Sequence, residues 1–273
     1  YISLASKMFN LPYVSIYKHS PERSAGKVGE LSCGYGAAAA AVLSFAQKMG
    51  IDMTEAEAVK LVSDWRAQDP NIVEFWAVLQ RLLEGALAGQ GAMYVRDALQ
   101  VSITQIITPE SLQAMHPGAT SLLWTLRYGG DLVVSRVFQG CYLRGRDICY
   151  YKHTDRKTGD PWNSSYEDPK TKRREYYRLY GGKLAGILTQ SFCREIFFNG
   201  LRYISQAVKA IPNARLVGQF HDEIVVEWTP HNGEEGAKSL EEVEALMESW
   251  MCYSPYEGFP LAAEIKKGHR YIK

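Results

Sequence analysis

The sequence predicts an α+β fold, helical in its first part and built from antiparallel strands and a long helix in its second. Three observations predict it. Helix-start signals recur early, at Ser20-Pro21-Glu22 and at Thr54-Glu55-Ala56-Glu57. Residues from about 118 to 152 alternate and are rich in β-branched and aromatic side chains. Two further β-rich runs meet at a tight His221-Asp222-Glu223 turn within 214–228.

The elements follow in order. Residues 1–19 read as the end of a helix plus a loop. At Ser20 a hydroxyl can cap, Pro21 suits the first turn, and Glu22 complements the helix dipole. That helix runs to Gly34-Tyr35-Gly36, where glycine can end or kink it. The Ala run 37–41 reads as plain helix. Thr54 with Glu57 forms a capping box for a helix that must stop before Pro70, and Asn71 can cap the next one through Phe75, Trp76 and Leu79. A polar, charged stretch from about 153 to 175 reads as a long loop. A long helix is expected from Lys183 to about Ala210, and Ser239-Leu240-Glu241-Glu242 reads as the cap of a last helix.

Composition removes several classes. With 46% hydrophobic and 22% charged residues in 273, the chain can bury a core and is not disordered. No apolar run approaches the roughly 20 residues that span a bilayer, and no basic-plus-apolar leader opens it. The five cysteines are odd in number and lack a CxxC pair, against a disulfide framework or a structural zinc site and in favour of a reducing cytoplasm. The net charge of +1 identifies no partner. It is unevenly spread, with Lys170, Lys172, Arg173, Arg174, Arg178 and Lys183 close together. Such a run is either a solvated face or a patch that tracks phosphates. The first residue is Tyr1, behind which an initiator Met is not normally trimmed, so a longer gene product or a processing event is expected.

Two constellations carry chemistry. Arg23, Lys27, Leu31 and Tyr35 are spaced by four. Each step drifts only about 40° around a helix, so the four share a stripe about 18 Å long. The two cations lie nearest the positive end of the dipole and would repel one another unless an anion lay between them, a place that suits a triphosphate. Leu31 and Tyr35 then suit a sugar and a base plane. By itself the ladder is more often an amphipathic helix with solvated cations on its edge. At the second constellation, Asp222 and Glu223 are adjacent carboxylates at a strand tip. Two unit charges about 4 Å apart cost about 4 kcal/mol at an effective dielectric near 20, and a Mg²⁺ ion relieves that repulsion. An isolated His-Asp-Glu tripeptide also fits an ordinary polar turn.

Taken together, these residues resemble the family A (DNA polymerase I type) DNA polymerases. The string from Arg23 through Lys27, Leu31 and Tyr35 to Gly36 resembles that family's motif B, and Gln219-Phe220-His221-Asp222-Glu223 its motif C. Gly181-Gly182-Lys183-Leu184 with Gln190 is similar to its primer–template helix, and Phe259-Pro260-Leu261 through Tyr271-Ile272-Lys273 to its carboxy terminus. Trp65-Arg66 with Pro70 and Trp76 is similar to phage-type members. The set covers most of the chain in the family's order.

The resemblance implies a right-hand polymerase, with helical fingers over 1–135 (motif B near 21–36) and part of an antiparallel-sheet palm over 136–273 (motif C hairpin at 214–228). It implies template-directed addition of dNTPs to a primer by two-metal nucleotidyl transfer. Asp222 is then a Mg²⁺ ligand and Glu223 a supporting carboxylate. Arg23 and Lys27 hold phosphates, Leu31 and Tyr35 lie along the nucleotide, and Lys27 assists catalysis. Gly36, Arg146, Lys183, Gln190, Gln219 and His221 touch DNA. The host cytoplasm follows if the source is a phage.

Three departures stand out. Leu31 replaces an aromatic residue, Gly186-Ile187 replaces Glu-Asn, and Leu143-Arg144-Gly145-Arg146 keeps only Arg146 of a Pro-Ser-Gly-Arg segment. The family's motif A, an Asp-Tyr-Ser-like string holding the other metal-binding Asp, does not occur. The expectation is therefore a chain inactive alone, completed by a second polypeptide or upstream segment that carries motif A and the thumb and shares two Mg²⁺ ions. A single-subunit-type RNA polymerase fragment and a non-catalytic DNA-binding remnant are the alternatives.

Overall fold

In the computed structural model, residues 1–108, 110–115, 117–129, 132–151, 177–229, 234–254 and 261–269 are described. The fold is mixed α+β, and the chain divides into two compact units, Tyr1–Thr189 and Gln190–Lys273. The fingers-to-palm border expected near residue 135 falls inside a strand of the first unit.

The first unit opens with α1 (Ile2–Phe9) and α2 (Pro21–Cys33), followed by α3 (Ala39–Lys48), α4 (Glu55–Gln68) and α5 (Pro70–Leu87). The expected start signals hold at Ser20 and Thr54. Ser20 Oγ accepts the Arg23 amide at 3.1 Å. Thr54 Oγ1 accepts from the Glu57 amide at 3.3 Å, and Glu57 Oε2 accepts the Thr54 amide at 2.7 Å, closing the capping box. Asn71 is a correction. The helix begins at Pro70 with Asp69 as its N-cap, so Asn71 lies inside it. Proline has no N–H to satisfy and suits the first position.

Two glycines set the α1–α2 crossing. A Cβ at Gly26 would stand 2.3 Å from the Tyr1 carbonyl oxygen, and one at Gly29 2.6 Å from a Leu4 methyl. On their side α2 also buries Ala25, Val28 and Cys33. α4 contributes Leu61 and Trp65, and α5 contributes Trp76, Leu79 and Leu83. Trp65 and Trp76 stack with centroids 5.6 Å apart, and the Trp65 indole N–H donates to Glu30 at 3.0 Å.

After α5 comes an antiparallel meander: β1 (Ala92–Arg96), β2 (Leu99–Ile106), β3 (Thr120–Tyr128), β4 (Leu132–Arg144), β5 (Asp147–Tyr151) and β6 (Tyr177–Leu179), paired in chain order. A short α6 (Glu110–Met115) separates β2 from β3. The alternation read over 118–152 becomes β3 to β5, with Leu122, Trp124 and Leu126 all on one buried face. β1 and β2 were not expected from the sequence. They turn at Asp97-Ala98, with Asp97 at φ 53°, and no glycine advertises that hairpin.

α7 (Gly181–Ala207) is the long helix expected from Lys183, and it ends in one 3-10 turn at Val208–Ala210. The hairpin of β7 (Ala214–Phe220) and β8 (Glu223–Trp228) follows. α8 (Glu234–Met251) starts earlier than expected and Ser239 lies inside it, a second correction. Acidic residues at 234–235 suit its first turn, and the helix already runs through Ser239. The loop expected at 153–175 and the basic residues 170–174 lie outside the described residues. Among the described residues, no helix is long and apolar enough to cross a membrane.

Candidate functional site

The ladder residues stand on the open side of α2. Arg23, Lys27 and Leu31 are half-buried and Tyr35, just past the helix, is 40% exposed, while Ala25, Val28, Ser32 and Cys33 face the core. The packing therefore consumes one face and leaves Arg23, Lys27 and Leu31 accessible on the other, while Tyr35, expected on the same helix stripe, lies beyond the helix end at Cys33. Arg23 is held from below. Its guanidinium donates to the Lys18 carbonyl at 3.2 Å and lies 5.6 Å from the Tyr1 ring centre. Lys27 makes no salt bridge among the described residues. Two cations one turn apart, with no acid between them, suit a multiply charged anion.

The lower end of the stripe meets α7. Gly36 has φ 76°, the left-handed region that glycine tolerates. A Cβ at Gly182 would stand 3.0 Å from the Tyr35 carbonyl oxygen and 3.1 Å from the Gly36 Cα. One at Gly181 would stand 1.8 Å from the Trp76 carbonyl oxygen, while its amide donates to Gln80 at 3.0 Å. The Tyr180 hydroxyl donates to the Tyr35 carbonyl at 3.4 Å. Side-chain-free backbone thus joins the end of α2 to the first turn of α7, which carries Lys183 with its ammonium 5.7 Å from the Tyr150 ring centre. Tyr180, Gly182 and Gln80 are supporting residues that the sequence reading did not assign. The paired glycines opening α7 were the available signal.

Arg146 lies at the exposed tip of the β4–β5 hairpin, beside Gly145 at φ 62° and next to Asp147, which pairs with Arg178 at 2.6 Å. No described contact joins Arg146 to the α2 stripe.

In the second unit, Gln190 is exposed on α7, and Gln219, His221, Asp222 and Glu223 share one hairpin tip. Phe220 and Glu223 form the closing pair, so His221 and Asp222 are the two turn residues. His221 has φ 54°, and its carbonyl accepts the Gln219 side-chain amide at 2.7 Å. Holding a non-glycine residue in the left-handed region costs about 1 kcal/mol or more, and the turn it forms carries Asp222 with Glu223 directly after it. Both carboxylates are exposed. Cross-strand pairing of Arg215 with Glu227 braces the far end of the hairpin. Two adjacent hard-oxygen donors fit a share of a Mg²⁺ shell completed by phosphates and further carboxylates. Among the described residues, no group of three His, Cys, Asp or Glu side chains converges as a complete metal site.

One neighbouring thiol is perturbed. Burial, the largest cause, pushes Cys33 up to about 11; Arg66 opposes this and Glu30 adds to it. At neutral pH it is an uncharged core residue and no nucleophile.

No family model matches the chain. It is similar to a DNA polymerase of Bacillus phage SP02, with 29% identity over 270 residues. The match takes in 97% of this chain and 35% of that protein, so the chain spans about a third of the length of its relative.

Proposed function

We propose that the chain is the carboxy-terminal part of a template-directed DNA polymerase of the family A type, which extends a primer with dNTPs. The observation that carries this reading is the similarity to a phage DNA polymerase over 97% of the chain, a span that includes both the α2 stripe and the β7–β8 tip. In the reaction, Arg23 and Lys27 take the triphosphate, whose charge their unneutralised pair favours. Leu31 and Tyr35 line the sugar and the templating pair. Gly36, Arg146, Lys183 and Gln190 contact the primer–template, and Gln219 and His221 the primer end.

Asp222, supported by Glu223, holds Mg²⁺. Two such ions, when bound, supply activation of the primer hydroxyl and charge stabilisation of the leaving pyrophosphate. The protein's own part is positioning and charge complementarity. The tip offers two carboxylates, too few for two ions. A second polypeptide or an upstream segment therefore supplies motif A and the thumb. The place of action is the cytoplasm, that of the host if the gene is a phage's.

The test is to purify the protein from its native source, take intact masses of all that copurifies, and assay primer extension with Mg²⁺. Extension is expected from the assembly or longer product and not from the 273-residue chain alone. Asp222→Asn should cut extension by about a thousandfold or more while sparing DNA binding. Undiminished extension by Asp222→Asn rejects the metal role. Preference for ribonucleotides over dNTPs would transfer the assignment to the RNA polymerase class.

A further inference from the structure

We propose that Gly186 is a positioning residue for the nucleotide site: its missing side chain is the seat of the Tyr35 ring. This rests on the reading of the α2 stripe given above. A Cβ built on Gly186 would stand 2.3 Å from Cδ1 and 2.6 Å from Cε1 of Tyr35. No alanine fits without moving the ring. Gly186 lies well inside α7, where glycine costs about 1 kcal/mol relative to alanine. The helix tolerates that cost where an aromatic ring lies directly on its backbone. The backbone of Tyr35 is fixed separately, by the Tyr180 hydroxyl and the close approach of Gly36 to Gly182. Its ring is therefore left with two freedoms, rotation about χ1 and about χ2, and Gly186 sets where those rotations stop. A side chain at 186 turns the ring away from α7 and alters the space beside Leu31 and Tyr35 that the incoming sugar and base would fill.

The experiment uses the native polymerase assembly and compares wild type, Gly186→Ala, Tyr35→Ala and the double variant in single-nucleotide insertion. Gly186→Ala is expected to raise the KM for dNTP about tenfold, with kcat changed less than twofold. In the Tyr35→Ala background the same substitution should leave KM unchanged, because the ring it displaces is gone. An unaltered KM in Gly186→Ala overturns the proposal, as does an equal rise in both backgrounds. Should Gly186→Ala alone lose its melting transition, recovery of that transition in the double variant supports the seat and failure to recover it overturns it. Absence of primer extension by the wild-type assembly would instead defeat the polymerase reading, while the melting comparison would still judge the seat.

Discussion

At the scale of single residues, the site divides into groups that are anchored and groups that are left to a ligand. Arg23 is tied to the Lys18 carbonyl and the Tyr1 ring, whereas Lys27 makes no salt bridge among the described residues. Lys27 should therefore lose more in ligand affinity than in stability when truncated. Lys27→Ala is expected to raise the KM for dNTP by roughly tenfold to a hundredfold, the worth of a charge-assisted hydrogen bond, and to lower Tm by less than about 2 °C. Titrating KM against salt checks the electrostatic origin, since the wild-type advantage should shrink as ionic strength rises. Equal KM values at low salt would remove Lys27 from the phosphate site. His221 shows the opposite logic. Its left-handed backbone is held by the turn it completes, and it projects the carboxylate that follows.

At the scale of elements, helix ends and glycine contacts carry the local order. The Thr54–Glu57 box satisfies two amides that α4 would otherwise leave to water, and the Thr54 hydrogen bonds hold the Glu57 carboxyl below its ordinary range. A carboxylate whose folded-state value is depressed stabilises the fold above its ordinary value and loses that contribution as pH falls through the depressed one. Thr54→Ala should lower Tm by about 2–4 °C, read by thermal unfolding near neutral pH. At the α1–α2 crossing, Gly26→Val would drive a side chain into the Tyr1 carbonyl, 2.3 Å from the nearest possible Cβ. A Tm fall larger than that of Thr54→Ala is expected, because backbone cannot step aside as a flexible side chain can. A smaller fall would mean that α1 does not hold its place on α2.

At the scale of the whole molecule, two buried thiols make the first unit sensitive to alkali. Burial pushes Cys33 up to about 11 and Cys141 up to about 12 from an ordinary value of 9.0. Below about pH 8 both are protonated whether folded or unfolded, and they contribute no pH dependence. Above it, the unfolded chain sheds protons that the folded one keeps, so stability falls as pH rises toward the folded-state values. The urea midpoint should drop between about pH 8 and pH 10, and the drop should be smaller in Cys33→Ala/Cys141→Ala. An identical drop in the double variant would assign the alkaline loss to other groups.

The sequence by itself determined what depends on near neighbours. The Ser20 and Thr54 caps, the 214–228 hairpin with its acidic tip, the long helix from Lys183 and the four-spaced stripe each involve residues a few positions apart, whose geometry backbone periodicity dictates. Where signals competed at short range, the reading slipped. Pro70 took the first helical position ahead of Asn71, and an earlier start enclosed Ser239. Only the tertiary structure decided what depends on distant partners. The Asp97-Ala98 hairpin takes its place in the sheet through the pairing of β2 with β3, a strand that follows only after α6. Tyr35 and Tyr180 meet across 145 positions, and the Tyr35 ring lies on Gly186. From the sequence Gly186 reads as a departure from a family pattern. In the fold it is the space that an aromatic ring fills, because close packing is settled by which surfaces meet and not by the order in which their residues occur.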